Sequence, residues 1–449
     1  MAFLSIAAGR AHAQTNERLY EGLNFKFVTP GARAVGMGIT FVGLADDATA
    51  AASNPAGLSN LRRAEVSFEF LGLNTSQTYL VSNLAQGAPC NPPCNVFQTY
   101  DHTAWAFPSF ASVAVPIGDF TLAGFVNSQQ EFSRSFDLSQ RFVQAVSTPA
   151  GTLPPTMQTA ESGSLDVSVR NYGAGGAWAL RPWLSLGASV VLSHLDLESQ
   201  GLNREEDGTL RSRTRTSASV TRPSIFAGVL ARPRPRLAVG MGYYRGTTFG
   251  METEVAGTFA NPAGSIPPDR CLNQSFRQPT RVCDSQPPLP TDYVVPGRMA
   301  VGASYRATPG LTVLGEIAHV RYSTMVTRNF QVIDFRFTNN ISRSNFFFED
   351  VNEYHGGLEY RWMRGGHLLA LRAGAFSDPG HSLRFLVTAA SGADSAQNFE
   401  FNTNADRSTG FGKTFGGGLT FGNRLQLDSA VSLVPGSNMF VISLIRRFL

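Results

Sequence analysis

From about residue 65 to the C-terminus the chain alternates between apolar and polar positions. Leu184, Leu186, Ala188, Val190 and Leu192 alternate with Ser185, Gly187, Ser189, Val191 and Ser193. Met299, Val301, Ala303 and Tyr305 do the same against Arg298, Ala300, Gly302, Ser304 and Arg306. A period of two marks strands with one face against something apolar and the other against something polar. Fourteen segments fit, at 65–74, 104–117, 119–133, 164–180, 184–202, 211–232, 236–256, 292–307, 311–325, 352–362, 367–378, 409–422, 424–434 and 438–449. Most exceed the roughly five or six residues of a soluble strand and reach the roughly 9–11 that cross a bilayer at a tilt.

The connections alternate between short and long. Short ones are Pro116–Asp119, Arg181–Trp183, Pro233–Pro235, Thr308–Gly310, Arg364–Gly366 and Gly422–Asn423. Long ones fall at 75–103, 134–163, 203–210, 257–291, 326–351 and 379–408, and Pro435–Ser437 is the one short connection on the long side. Outer-membrane barrels have short periplasmic turns and long external loops, whereas a soluble sandwich has no reason to sort its loops by end. An even count ending on a strand permits closure without a free edge. The expected fold is all-β, a 14-stranded antiparallel transmembrane β-barrel over 64–449 in the outer membrane of a Gram-negative bacterium. The near-terminal aromatic Phe448 fits such a last strand.

The exception to the alternation is Gly31–Leu61, rich in Gly and Ala. Asp46 and Asp47 are N-cap candidates for a short turn of helix over Ala48–Ala52. Asn54 precedes Pro55 and leaves the helical region, and Gly57 permits a reversal. Eight strands give a barrel filled by side chains and sixteen leave a channel, so fourteen leave a gap that needs a plug. Residues 14–63 are therefore expected to form an N-terminal hatch, with Asn54, Pro55, Ala56 and Gly57 as its motif. Before it, apolar Ala2–Ala8 and the small-x-small Ala11-His12-Ala13 resemble the end of a signal peptide over 1–13, lacking its basic start, with cleavage before Gln14.

Composition agrees. Charged residues are 16% of the chain, Gly contributes 44 of 449 residues, and mean hydropathy is −0.07. No apolar run reaches the roughly 18 residues of a membrane helix. Cys90 and Cys94, then Cys271 and Cys283, form two close pairs in Pro-rich stretches, as expected of two local disulfides in an exported protein, although other pairings are open. Their spacing matches no compact metal module. The net charge of +4 is spread over arginines near the turns, which suit lipid and lipopolysaccharide headgroups; no basic patch points to nucleic acid.

No catalytic constellation emerges. Gly412-Lys413-Thr414 lacks the first glycine of a phosphate loop, and Gly173-Ala174-Gly175 lacks the third of a dinucleotide loop. His194 and His319 fall near a barrel rim, where membrane lipases place catalytic groups, but without a serine or acid pattern. No enzyme activity, metal or cofactor is expected. The loop 326–351 is unusually aromatic: Phe330, Phe335, Phe337, Phe346, Phe347 and Phe348 are candidates for capturing apolar ligands, or for packing under neighbouring loops. Phe399 and Phe401 form a second patch. By parity Arg298 and Arg372 face the lumen, as candidate partners for a ligand carboxylate or members of structural charge ladders.

Three N-terminal motifs, Gly31–Gly38 (GARAVGMG), Ala45–Ala50 (ADDATA) and Asn54–Leu58 (NPAGL), resemble the hatch of the FadL family. Pro296-Gly297-Arg298, Tyr322-Ser323 and Arg372–Ala375 follow in the expected order. The resemblance implies passive transport of long-chain fatty acids or aromatic hydrocarbons by a monomer without cofactor. It implies capture at the loops, an internal pocket, and hatch-gated lateral exit through the wall at a kinked third strand. Gly124 and Asn127, within a stretch that ends in Asn127-Ser128-Gln129-Gln130, are the kink candidates here. The connection after the fifth strand is short, although that family's third loop is long. PorV-like barrels share the hatch signature and bind secreted or assembly proteins, which is the alternative function.

Overall fold

The computed structural model describes Phe27 and residues 29–82, 96–138, 141–143, 146–148, 151–153, 156–158, 160–204, 210–259, 281–283, 289–330, 346–381, 383–388, 394–398 and 410–448. Fourteen antiparallel strands close into a barrel. They are β1 (Glu65–Ser82), β2 (Val96–Ile117), β3 (Phe120–Leu138), β4 (Ala160–Arg181), β5 (Leu184–Arg204), β6 (Leu210–Arg234) and β7 (Leu237–Tyr244, continuing as Thr247–Phe259). The second half comprises β8 (Leu289–Val295, continuing as Arg298–Arg306), β9 (Leu311–Val320), β10 (Val351–Arg364), β11 (His367–Asp378), β12 (Gly410–Phe421), β13 (Leu425–Val434) and β14 (Ser437–Arg447). Closure comes from β1 against β14, in register from Glu65↔Arg447 to Thr75↔Ser437.

Period two decides which side chains meet which medium. Outward positions carry an exposed apolar belt that includes Phe68, Val115, Leu122, Leu192, Ile225 and Leu444. Against hydrocarbon this exposure is stabilising, because lipid replaces the burial that water would demand. The belt ends sharply: above Leu192 on β5 the outward positions are His194, Asp196 and Glu198.

Two strands break where the sequence reads continuous. The ladder of β7 is interrupted at Arg245–Gly246 and that of β8 at Pro296–Gly297. Gly246 has φ 81°, and a Cβ there would overlap the Gly297 backbone. Proline supplies no ladder donor and glycine accepts the left-handed conformation, so the pair builds a joint kink. Beyond it β7 and β8 stay paired, from Thr247↔Val295 to Thr253↔Leu289, and lean into the lumen. Thr247 Oγ1 reaches past β6 to Ser193 Oγ of β5 at 3.4 Å. Two further differences are small. Helical turn Tyr322–Met325 replaces the expected outer end of β9, and residues 384–388 pair with both Phe346–Phe347 and 394–398 as a separate three-stranded sheet.

Candidate functional site

Residues 29–61 lie inside the barrel, almost wholly buried. They form α1 (Ala32–Gly36) and two 3-10 turns, Ala48–Ala52 and Pro55–Asn60. Asp47 caps the first turn, accepting from Thr49 N at 3.0 Å. Gly57 sits within the second turn, where a Cβ would overlap Ala45; close approach, rather than reversal, is what it supplies. The wall answers with inward glycines. A Cβ on Gly187, Gly228, Gly357 or Gly374 would overlap Ala56, Asn54, Met37 or Gly38 respectively.

Polar groups fix this segment to the wall. Arg33 pairs with Glu359 of β10 at 2.8 Å and with Asp46 at 2.5 Å. Glu359 also pairs with Arg372 of β11 at 3.0 Å, and Arg372 with Asp428 of β13 at 2.8 Å. Burial works against the Arg33 charge, but Asp46, Glu359 and Asp47 outweigh it and hold its pKa well above the ordinary value. Burial pushes the Asp47 carboxyl up, and the Asp46 charge adds to that against Arg33 and Thr49. Wall carboxylates cap loose backbone donors: Glu316 of β9 accepts from Phe41 N and Val42 N at 3.1 Å, and Glu65 of β1 from Ala48 N at 3.1 Å. Asn54 Nδ2 donates to Val42 O at 2.8 Å and to Val229 O of β6 at 3.1 Å.

Above the segment lies a cavity of about 60 Å³, lined by Phe27, Ser53, Asn127, Phe226, Tyr244 and Arg298 among others. By the same measure a single water needs roughly 10–15 Å³. Its polar edge is a chain of hydrogen bonds. Tyr244 Oη donates to Gln129 Oε1 at 3.1 Å, Asn171 Nδ2 donates to the same oxygen at 2.9 Å, and Ser193 Oγ donates to Asn171 Oδ1 at 2.7 Å. The cavity abuts a break in the wall. β3 pairs with β2 only from Ile117↔Phe120 to Phe110↔Asn127, whereas β2 stays paired with β1 and β3 with β4 beyond that point. The β3–β4 register slips between Ser128 and Gln130.

The sequence candidates fall as follows. Asn54, Pro55, Ala56 and Gly57 are buried against the wall. Asn127 lines the cavity at the foot of the break, while Gly124 pairs regularly with Ala174, three residues before Asn127. Arg298 and Arg372 both face inward; Arg298 lines the cavity, 3.2 Å from Glu316 and 3.6 Å from Glu353, and Arg372 is held between Glu359 and Asp428 below it. Phe330, Phe346 and Phe348 are buried and Phe347 is half-buried. The first three share one apolar cluster with Tyr293, Phe249, Phe226 and Phe41, running from the loops to the N-terminal segment. Phe335, Phe337, Phe399, Phe401, Cys90, Cys94 and Cys271 lie outside the described residues, as does the side chain of Cys283, and so does any disulfide. Sequence reasoning missed Tyr244 and Asn171, which read as ordinary strand residues; Gln129 lies in the polar run at 127–130 but is not singled out within it.

No protein-family model and no curated protein sequence matches this chain. Solved structures do. A FadL homologue from Pseudomonas aeruginosa superposes with a TM-score of 0.60 at 12% identity, covering 94% of this chain and all of the other. The P. putida toluene transporter TodX gives 0.58 at 14% identity over 94% of this chain and 99% of its own. The Ralstonia pickettii toluene transporter TbuX gives 0.53 at 16% identity, covering 95% of this chain and 100% of its own. At these identities the likeness is one of fold, and the fold of this chain is that of these solved outer-membrane barrels.

Proposed function

We propose that this protein passively moves apolar small molecules across the outer membrane of a Gram-negative bacterium. The observation that carries the reading is the cavity at the foot of the β2–β3 break, enclosed below by the buried N-terminal segment. A molecule there has a short sideways path out, and the segment below blocks a straight path. The aromatic cluster from Phe330 and Phe346 down to Phe226 supports capture from the loop side. Apolar burial at about 25 cal/mol per Å² supplies the affinity without an energy source. That TodX and TbuX are described as toluene transporters favours monoaromatic hydrocarbons as one ligand class. Arg298, which lines the cavity between Glu316 at 3.2 Å and Glu353 at 3.6 Å and whose Nε makes no hydrogen bond, is the group we assign to orient an oxygen-bearing ligand such as a fatty acid.

The test is uptake of labelled toluene and oleate by cells that lack their own transporter and carry this barrel, folding being confirmed by heat-dependent gel mobility. Saturable uptake of either supports the reading. No uptake of either by a folded barrel overturns it and moves weight to a protein-binding barrel. Arg298→Gln is expected to lower oleate uptake and leave toluene uptake unchanged.

A further inference from the structure

The wall is interrupted a second time, between β6 and β7. The two strands pair below at Phe226↔Tyr244 and above at Thr216↔Thr253. Between those pairs β6 has one residue more than β7, so a single register cannot be carried through. At the lower end of this stretch Arg245 N donates to Ile225 O, at 3.2 Å, and among the described residues no strand pairing joins the two between there and Thr216↔Thr253. On its other side β6 stays in unbroken register with β5 from Ser212 to Ala231.

The sequence is built for an edge here. Ile225 turns its carbonyl to β7, whereas Arg232 N donates to Trp183 O on the β5 side. Odd-numbered backbone groups of β6 therefore aim at β7, and Pro223 is one of them. A proline is tolerated in a strand where its missing N–H would face no partner. The seam is thus encoded twice, by Pro223 on β6 and by the Gly246 kink that carries β7 inward.

Its lining and its height bear on what passes. On the inner side Ala218 and Val220 are half-buried and pack on the main apolar cluster. Arg222 faces inward by its pairing with Ser193 yet is exposed, as is Arg245 across the seam. Ile225 is the last exposed apolar residue on the outward face of β6; Pro223, Thr221 and Ser219 follow. The seam therefore opens at the upper edge of the belt, where unpaired backbone meets water and headgroups rather than hydrocarbon. Its lower end, Phe226 and Tyr244, lines the same cavity that Asn127 lines from the β2–β3 side.

We propose that the β6–β7 seam is a second lateral port, through which uncharged apolar molecules exchange between the interfacial zone of the outer leaflet and the cavity, separately from the β2–β3 break. This rests on the transport reading. The test uses the full-length barrel in outer-membrane vesicles with a diazirine-bearing alkylbenzene, the labelled residues being mapped by mass spectrometry. In parallel, Ser219→Cys with Gly250→Cys, both outward and on opposite sides of the seam, is bridged by a thiol-cleavable cross-linker, with each single variant as control. Label on Ala218 or Val220 as well as in the cavity, with a loss of toluene uptake on bridging that cleavage restores, supports the port. Label confined to the cavity and the β2–β3 break overturns the port and leaves transport standing. Uptake indifferent to the bridge overturns it whatever the label. No label in the cavity at all overturns both readings.

Discussion

The turn-side half of this barrel and its loop-side half fill the same wide lumen with different materials. Below the kinks neighbouring strands stay paired, with register slips such as those at Ala231–Arg234 and Trp178–Arg181, and the space is occupied by a segment of small residues held by buried ion pairs, carboxylate caps and glycine contacts. Above them two ladders open, and the space is filled by aromatic rings and neutral hydrogen bonds contributed by β3, β7 and β8. Buried charge networks have few alternative arrangements, because a misplaced partner leaves an ion unpaired in a low dielectric. Neutral bonds and rings exchange partners at far lower cost. On the proposed transport function this contrast makes the lower half the seal and the upper half the passage, and each can be broken by its own kind of substitution.

The largest effect is expected at Arg33. Replacing it with Met leaves Asp46, Asp47 and Glu359 without their shared cation, a loss of about 3–5 kcal/mol for a broken buried pair. The expected outcome is a loosened N-terminal segment in a barrel that stays closed, because no strand ladder is touched. Ion conductance in planar bilayers should rise, while heat-dependent mobility should still report a folded barrel. An unchanged conductance would remove the seal from the lower half.

Next is Gly357→Val on β10. The new side chain would overlap Met37 O, a backbone atom that cannot rotate aside. Overpacking of this kind costs about 1–3 kcal/mol. Conductance should again rise, less than for Arg33→Met, and the effect should be absent at Gly315 of β9, where a Cβ meets nothing. Equal effects at both positions would mean that strand propensity, not contact with the segment, sets the result.

The contrast was only half visible beforehand. The barrel was legible because its period of two is forced by the lipid: Leu186, Val190 and Leu192 must face out, so their neighbours face in. The buried segment was legible because a run as small as that around Ala48–Ala52 fits a confined space, and Asp47 caps its turn as read. The kinks of β7 and β8 were not seen, since both read as single strands across Arg245–Gly246 and Pro296–Gly297. A signal existed in the prolines. Pro223 lies within the β6–β7 seam, and Pro108 of β2 lies just beyond Phe110, the last residue of that strand paired with β3. Proline inside a barrel strand needs an unpaired side, so each marked an opening. The sequence offers Gly124 and Asn127 as kink candidates, whereas the register slip falls at Gln129, whose side chain bonds Asn171 and Tyr244. Arg372 could be placed inside by parity; that it is held by Glu359 and Asp428 depends on two other strands, and no local pattern reveals it.

The smallest stability effect, and the sharpest test of the upper half, is expected from Tyr244→Phe. The ring is retained, so its stacking on Phe226 at 4.9 Å and its apolar burial survive. What goes is the hydroxyl that meets Gln129 at 3.1 Å and Thr247 at 2.9 Å, worth about 0.5–1.5 kcal/mol per net hydrogen bond. Thr247 keeps Ser193 as a neighbour and Gln129 keeps Asn171, so no buried group is stranded and thermal unfolding should shift little. Yet this hydroxyl ties the kinked half of β7 to the slipped register of β3, at the shared foot of both wall breaks. Freeing it should change the rate of toluene uptake while leaving ion conductance at the parent value. Arg33→Met should do the reverse, raising conductance whatever it does to uptake. If the two substitutions instead move both readouts together, the halves are one device and the division into seal and passage fails.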